Sequence, residues 1–223
     1  MKGDCIQNKF RKNPYKVYFL EYTMLNLKEG QLKIFVINLI YLLIFLYIFL
    51  GRRNYEFVGY IFVVVLLLMV ILLTNKKVNY SNFVLWGLTL WGLMHMFGGG
   101  LLLNNGTMKL YALILIPLSE TYQIFRYDQL VHIIGFGVST LIMIAIIKPH
   151  LRDKLKGRVA LGIVIIMAGL GVGAVNEIIE FTATVFVPET GVGGYVNNSL
   201  DLVSDLIGAI LAWIYIVIKK YEI

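Results

Sequence analysis

Within the heptapeptide RYDQLVH, residues 126–132, Asp128 and His132 stand one helical turn apart at the mouth of a long apolar run. Two further pairs repeat the pattern: Glu177 with Glu180 at i, i+3, and Asp201 with Asp205 at i, i+4. On a helix each pair projects from one face. Carboxylates and imidazoles offered by facing helices are a donor set suited to divalent cations. An ion so held can activate water or polarise a phosphoryl oxygen. The ligands expected on this reading are Glu177, Glu180, Asp201, Asp205, His132 and His95, and the groups closest to the chemistry Asp128, His132 and Glu177. Arg126 and Tyr127 are placed to meet a substrate, the guanidinium through an anionic group.

Each of these residues also has a plainer use. Asp128 and Asp201 fit the start of a helix, where an acid caps free N–H groups and meets the positive end of the dipole. His95, alone on an apolar face, suits a hydrogen-bonded packing role. Capping does not account for His132, Glu177 or Asp205. Five carboxylates cannot stay ionised together in a low-dielectric pocket without compensation. Arg126 and Lys109 are too few to balance them, which leaves protonation or a bound cation.

The elements that must position these groups are membrane helices. The chain has 223 residues, 59% hydrophobic and 15% charged, and its apolar residues come in long blocks, which is the composition of an integral membrane protein. Six runs are long enough to cross: Leu32 to Leu50, Phe57 to Leu73, Phe83 to Leu103, Asp128 to Ile147, Val159 to about Val187, and Leu202 to Ile218. The fold class expected is all-α, a polytopic bundle of about six transmembrane helices forming one domain over 32–223. A basic leader over 1–31 precedes it, either an interfacial helix or a basic tail. The segment between Tyr111 and Phe125, broken by Pro117 and Glu120, is too short to cross and reads as a surface or re-entrant piece. With one cysteine, Cys5, no internal disulfide can form.

The net charge of +7 is distributed as a topology signal and not as a nucleic-acid surface. Six Lys and Arg precede Lys33, two lie in the 74–82 loop, five in the 148–158 loop and two in the tail. The 51–56 loop has Arg52 and Arg53, the 104–127 connection has Lys109 and Arg126, and the 188–200 loop has none. Both termini are therefore expected in the cytoplasm of a multi-pass protein of the inner or plasma membrane. On that orientation every strongly polar residue inside the spans falls in the outer half. His132 and Asp205 come about one turn inside their mouths and His95 ~12 Å deep.

The ordered set Tyr127-Asp128-x-x-x-His132, Glu177-x-x-Glu180-Phe181 and Asp201-Leu-Val-Ser-Asp205-Leu-Ile-Gly208-Ala209, preceded by His95-Met-Phe-Gly98-Gly99, resembles the YjdF-like integral membrane proteins and, less closely, the VanZ-like ones. The resemblance covers roughly residues 95 to 212. Where the YjdF-like pattern carries Gly-Asp and a further Asp before the last helix, this chain has Gly194-Tyr195 and Asn197-Asn198. Gln129, Glu180 and Asp205 differ from the VanZ-like pattern. The resemblance implies an uncharacterised membrane protein, and the VanZ-like side implies the cell envelope.

Three functions fit these residues. The first is a metal-dependent enzyme acting on a lipid or envelope amphiphile, with a divalent ion as cofactor and membrane lipid as its surroundings. The second is a cation or proton-coupled transporter, which requires polar residues continuing into the inner half; Ser139 and Thr140 are the main candidates. The third is a non-catalytic ligand-binding protein. None involves nucleic acid.

Overall fold

The computed structural model describes residues 27–119, 121–151, 158–186 and 193–219. The basic leader before residue 27, expected as an interfacial helix or a basic tail, and the Glu120 break lie outside the described residues. Six long helices are present among them: α1 (Gln31–Gly51), α2 (Tyr55–Val78), α3 (Asn82–Gly100), α4 (Tyr127–Ile147), α5 (Arg158–Phe186) and α6 (Tyr195–Ile218). All except α3 are long and apolar enough to cross a membrane. The chain is a multi-pass helical bundle. α3, with Trp86, Trp91, His95 and three terminal glycines, is less apolar; it packs between α1 and α4 and exposes Phe83, Trp86 and Leu90.

Local signals set the helix ends. Asn54 accepts a hydrogen bond from the Phe57 N–H at 3.3 Å and Ser81 one from the Val84 N–H at 3.3 Å, capping α2 and α3. α2 ends on Asn79 in the left-handed region, φ 61°, a conformation asparagine tolerates. α4 opens where the Gln129 side chain accepts from the backbone N–H groups of Phe125 and Arg126, at 2.5 and 2.8 Å. α5 has 29 residues and so runs ~43 Å, more than the ~30 Å hydrocarbon core. It must tilt or project.

α4 and α6 form the centre, α5 packs on both, α3 joins α4 to α1, and α2 flanks α1. Gly208 allows the central contact: a Cβ there would overlap the Ile133 carbonyl oxygen of α4 and come within 2.9 Å of the Gly137 nitrogen. Leu141, Ile142, Ile144, Leu161, Ile165, Ala212 and Ile216 fill one half of the bundle. Phe45, Phe49, Phe57, Tyr60 and Met96 fill the other half on the α1–α3 side. Apolar residues such as Leu39, Leu43, Phe62, Ile163 and Ile178 are exposed, and these outward faces are what a bilayer solvates. Within the spans, Asn38 donates to Thr89 Oγ1 at 2.7 Å and accepts from the Tyr41 hydroxyl at 2.9 Å, tying α1 to α3.

The connection from 101 to 126 does not cross. It holds a two-residue antiparallel pair, Leu102–Leu103 with Met108–Lys109, and short turns that pack on the ends of α3 and α4. The ends of α1, α3 and α5 and the starts of α2, α4 and α6 share this side of the bundle. Arg52 donates to the Gly100 carbonyl at 2.5 Å, and Lys109 pairs with Glu56 at 3.3 Å.

Candidate metal centre

α6 begins at Tyr195, two turns before the expected Leu202, because Asn197-Asn-Ser continues the helix instead of forming a loop. This correction removes the capping reading of Asp201. The residue lies in the second turn, on one face with Asn197 and Asp205 at i−4 and i+4. Asp201 and Asp205 are completely buried.

The imidazole of His132 is the hub. Its Nδ1 lies 2.8 Å from Asp205 Oδ1 and 4.0 Å from Glu177 Oε1, and its Nε2 lies 3.9 Å from Asp128 Oδ1. Donor atoms of Asp128, His132 and Asp201 fall within 4.8 Å of one another, as do those of His132, Glu177 and Asp205. Five of the residues picked out by spacing, from three helices, thus meet around one ring. Gly173 of α5 makes the room: a Cβ there would overlap Asp205 Oδ2.

Three carboxylate oxygens in this cluster, Glu177 Oε2, Asp201 Oδ1 and Asp205 Oδ2, are buried without a hydrogen-bond partner among the described residues. Buried acceptors left in that condition are rare and call for a missing donor or cation. The donor set and the cradle at Gly173 fit a divalent ion, with His132 presenting one nitrogen while the other is oriented by a carboxylate, the usual arrangement of a ligating histidine.

The remaining expected site residues are placed differently. Glu180 accepts from Asn176 at 3.0 Å and stands beside the two groups, in neither. His95 is also outside both: its Nδ1 lies 2.5 Å from the Tyr111 hydroxyl, its ring stacks on Trp91 at 5.6 Å, and Phe57 and Tyr60 close around it. Burial pushes the Tyr111 phenol well above its ordinary value, and its hydroxyl donates to the His95 carbonyl at 3.0 Å. His95 thus falls in neither donor group and sits in a hydrogen-bonded aromatic setting. Tyr127, expected at the substrate, donates to the Met94 carbonyl at 3.1 Å and ties α4 to α3. Arg126 donates to Asn197 Oδ1 at 2.7 Å. Gly98 seats the ring of Tyr111 from the connection, and Gly99 the ring of Phe57 from α2.

Beside the cluster lies a cavity of about 300 Å³, lined by Asp128, His132, Glu180, Asn197, Arg126 and Lys109 among others and by the rings of Phe57, Tyr60, Trp91 and Tyr111. It extends to Thr107, which is exposed, and so reaches the bundle end. Asn197, Asn176 and Tyr111 were missed by residue spacing. The continuation of the 201/205 face back to 197 would have found the first; a lone Asn or Tyr gives no such signal.

The family described as "Predicted membrane protein (DUF2238)" matches residues 33–220. The chain belongs to this family. YjdF-like proteins are a DUF2238 family, so the motif resemblance over 95–212 pointed to the same group. The DUF2238 match also takes in α1 and α2, which the motifs left out. No curated protein and no solved structure matches the chain.

Proposed function

We propose that this protein is a metal-dependent enzyme of the membrane, acting on the head group of a lipid or envelope amphiphile that reaches the cavity from the non-cytoplasmic face. The observation that carries the reading is the trio of partnerless buried oxygens around His132. Asp128, His132 and Asp201 would hold the ion on the cavity side, and Asp205 and Glu177 would fix the imidazole or hold a second ion behind it. A bound divalent cation supplies electrophilic stabilisation of a developing oxyanion and a more acidic water. Arg126 and Lys109 offer positive charge to an anionic head group, and the aromatic wall excludes bulk water. The orientation supporting this access is the positive-inside distribution of Lys and Arg. The broader VanZ-like likeness agrees with an envelope substrate.

Transport is the weaker reading. Below the cluster, Thr140 is fully buried and donates to its own helix at Phe136 O, 2.7 Å. Beyond it the bundle is packed with apolar side chains, and the buried Asn38 and Thr89 bond to each other and to their own helix backbones.

The test is turnover: Mn²⁺-loaded protein incubated in vesicles of extracted membrane lipid, with the lipids analysed by mass spectrometry. A head-group change in wild type that is absent in Asp128→Asn supports the enzyme. Stoichiometric metal with no lipid altered leaves a non-catalytic binding protein and overturns the catalytic reading.

A further inference from the structure

The Asn197 carboxamide stands between groups of opposite charge. Its Oδ1 accepts from Arg126 Nη2 at 2.7 Å, while its Nδ2 donates to Asp201 Oδ2 and lies 3.4 Å from Asp128 Oδ2. One orientation of the amide satisfies all three, with the acceptor toward the guanidinium and the donors toward the acids. An acid at this position would add a further negative charge to the acid pair, and an apolar side chain would leave both signs facing each other. Guanidinium and carboxylate pair in a rigid two-bond fork when nothing separates them. That pairing would consume the oxygens a cation needs and the N–H groups a substrate anion needs.

We propose that Asn197 is a positioning residue whose amide holds Arg126 off Asp128 and Asp201, leaving the acids to a divalent cation and the guanidinium to an oxyanion group of the substrate. The inference rests on the metal reading above and names the substrate class as an oxyanion-bearing, phosphoryl-type head group. Two observations support it. Arg126 lines the cavity, and its Nε is buried with no hydrogen-bond partner among the described residues, so the guanidinium keeps an unused donor. Gly193 lies so close that a Cβ there would overlap the Asn197 side chain, so the backbone entering α6 leaves space for that side chain.

The experiment is Mn²⁺ binding to the purified full chain in detergent, followed by the paramagnetic resonance of the free ion. Asn197→Ala should weaken Mn²⁺ about tenfold or more, the scale of losing a group that orients ligands. Asn197→Ala combined with Arg126→Gln should return to within about threefold of Arg126→Gln alone, the coupling expected of neighbours. Asn197→Ser, also too short to bridge, gives the same comparison should the alanine variant not fold. Inorganic phosphate should have its resonance broadened by Mn²⁺-loaded wild type and not by Arg126→Gln. If wild type binds no Mn²⁺, the metal reading fails and takes this one with it. If wild type binds and Asn197→Ala binds equally, the positioning role alone is wrong. A double variant as weak as Asn197→Ala reduces the amide to a structural part, and equal phosphate broadening in Arg126→Gln removes the oxyanion role.

Discussion

Gly173 and Gly171 sit two residues apart on α5 and should respond oppositely to the same substitution. A Cβ at Gly173 would occupy the position of Asp205 Oδ2 and stand 2.7 Å from Asp205 Cγ and 3.0 Å from its Cβ. The carboxylate cannot retreat by moving its helix, because α6 is pressed against α4 at Gly208. It must rotate, breaking the 2.8 Å contact with His132 Nδ1. Losing a hydrogen bond to a charged group costs ~1.5–3 kcal/mol, while replacing glycine by alanine inside a helix returns up to ~1 kcal/mol. Gly173→Ala should therefore lower stability by a net ~0.5–2 kcal/mol, and cut metal affinity ~10–100-fold through the misplaced ligand. Among the described residues nothing lies within 4 Å of a Cβ at Gly171, so Gly171→Ala should stabilise by up to ~1 kcal/mol and leave metal binding unchanged. Thermal unfolding in detergent and Mn²⁺ titration read both quantities. Equal metal affinity in Gly173→Ala and wild type, or equal damage from both alanines, would refute the reasoning.

Other consequences are as direct. Gly208→Ala pushes a methyl into the Ile133 carbonyl, and should destabilise by ~1–3 kcal/mol as overpacking does, measured as a lowered unfolding midpoint; an unchanged midpoint would mean α4 and α6 are not in such close contact. His95→Gln and Tyr111→Phe should leave metal stoichiometry intact, since both lie outside the ligand groups; loss of the ion in either would restore His95 as a ligand. Acidification should release the metal, because protons compete for carboxylate and imidazole ligands; affinity that stays flat from neutral to mildly acidic pH would argue against this donor set. Asn54→Ala removes the α2 cap and should cost ~1 kcal/mol with no effect on the ion.

The helices were legible because apolar runs of membrane length leave little choice of structure, and five of the six starts fell within a few residues of those expected. The start of α6 was not, since Asn197-Asn-Ser looks like a turn unless the i, i+4 recurrence through Asp201 and Asp205 is followed backwards. The convergence on His132 could be anticipated from spacing and orientation, because paired acids on one helix face must look inward or pay for facing lipid. What spacing could not supply was the competition among polar groups. That Tyr111, sixteen residues after His95, folds back to take its nitrogen depends on a non-helical connection with no periodic signal. That Asn197 separates Arg126 from two acids depends on a contact between residues 71 apart. Thr89 and Asn38 likewise pair across helices as single neutral residues in apolar runs, where nothing in the pattern marks a partner.

Elemental analysis of protein purified without chelators tests the central claim most directly, with wild type beside Glu177→Ala and Asp205→Ala. A stoichiometric divalent ion in wild type, lost from both folded variants, is the predicted result. A folded wild-type protein carrying no such ion, and taking none up from excess Mn²⁺ or Zn²⁺, would contradict it.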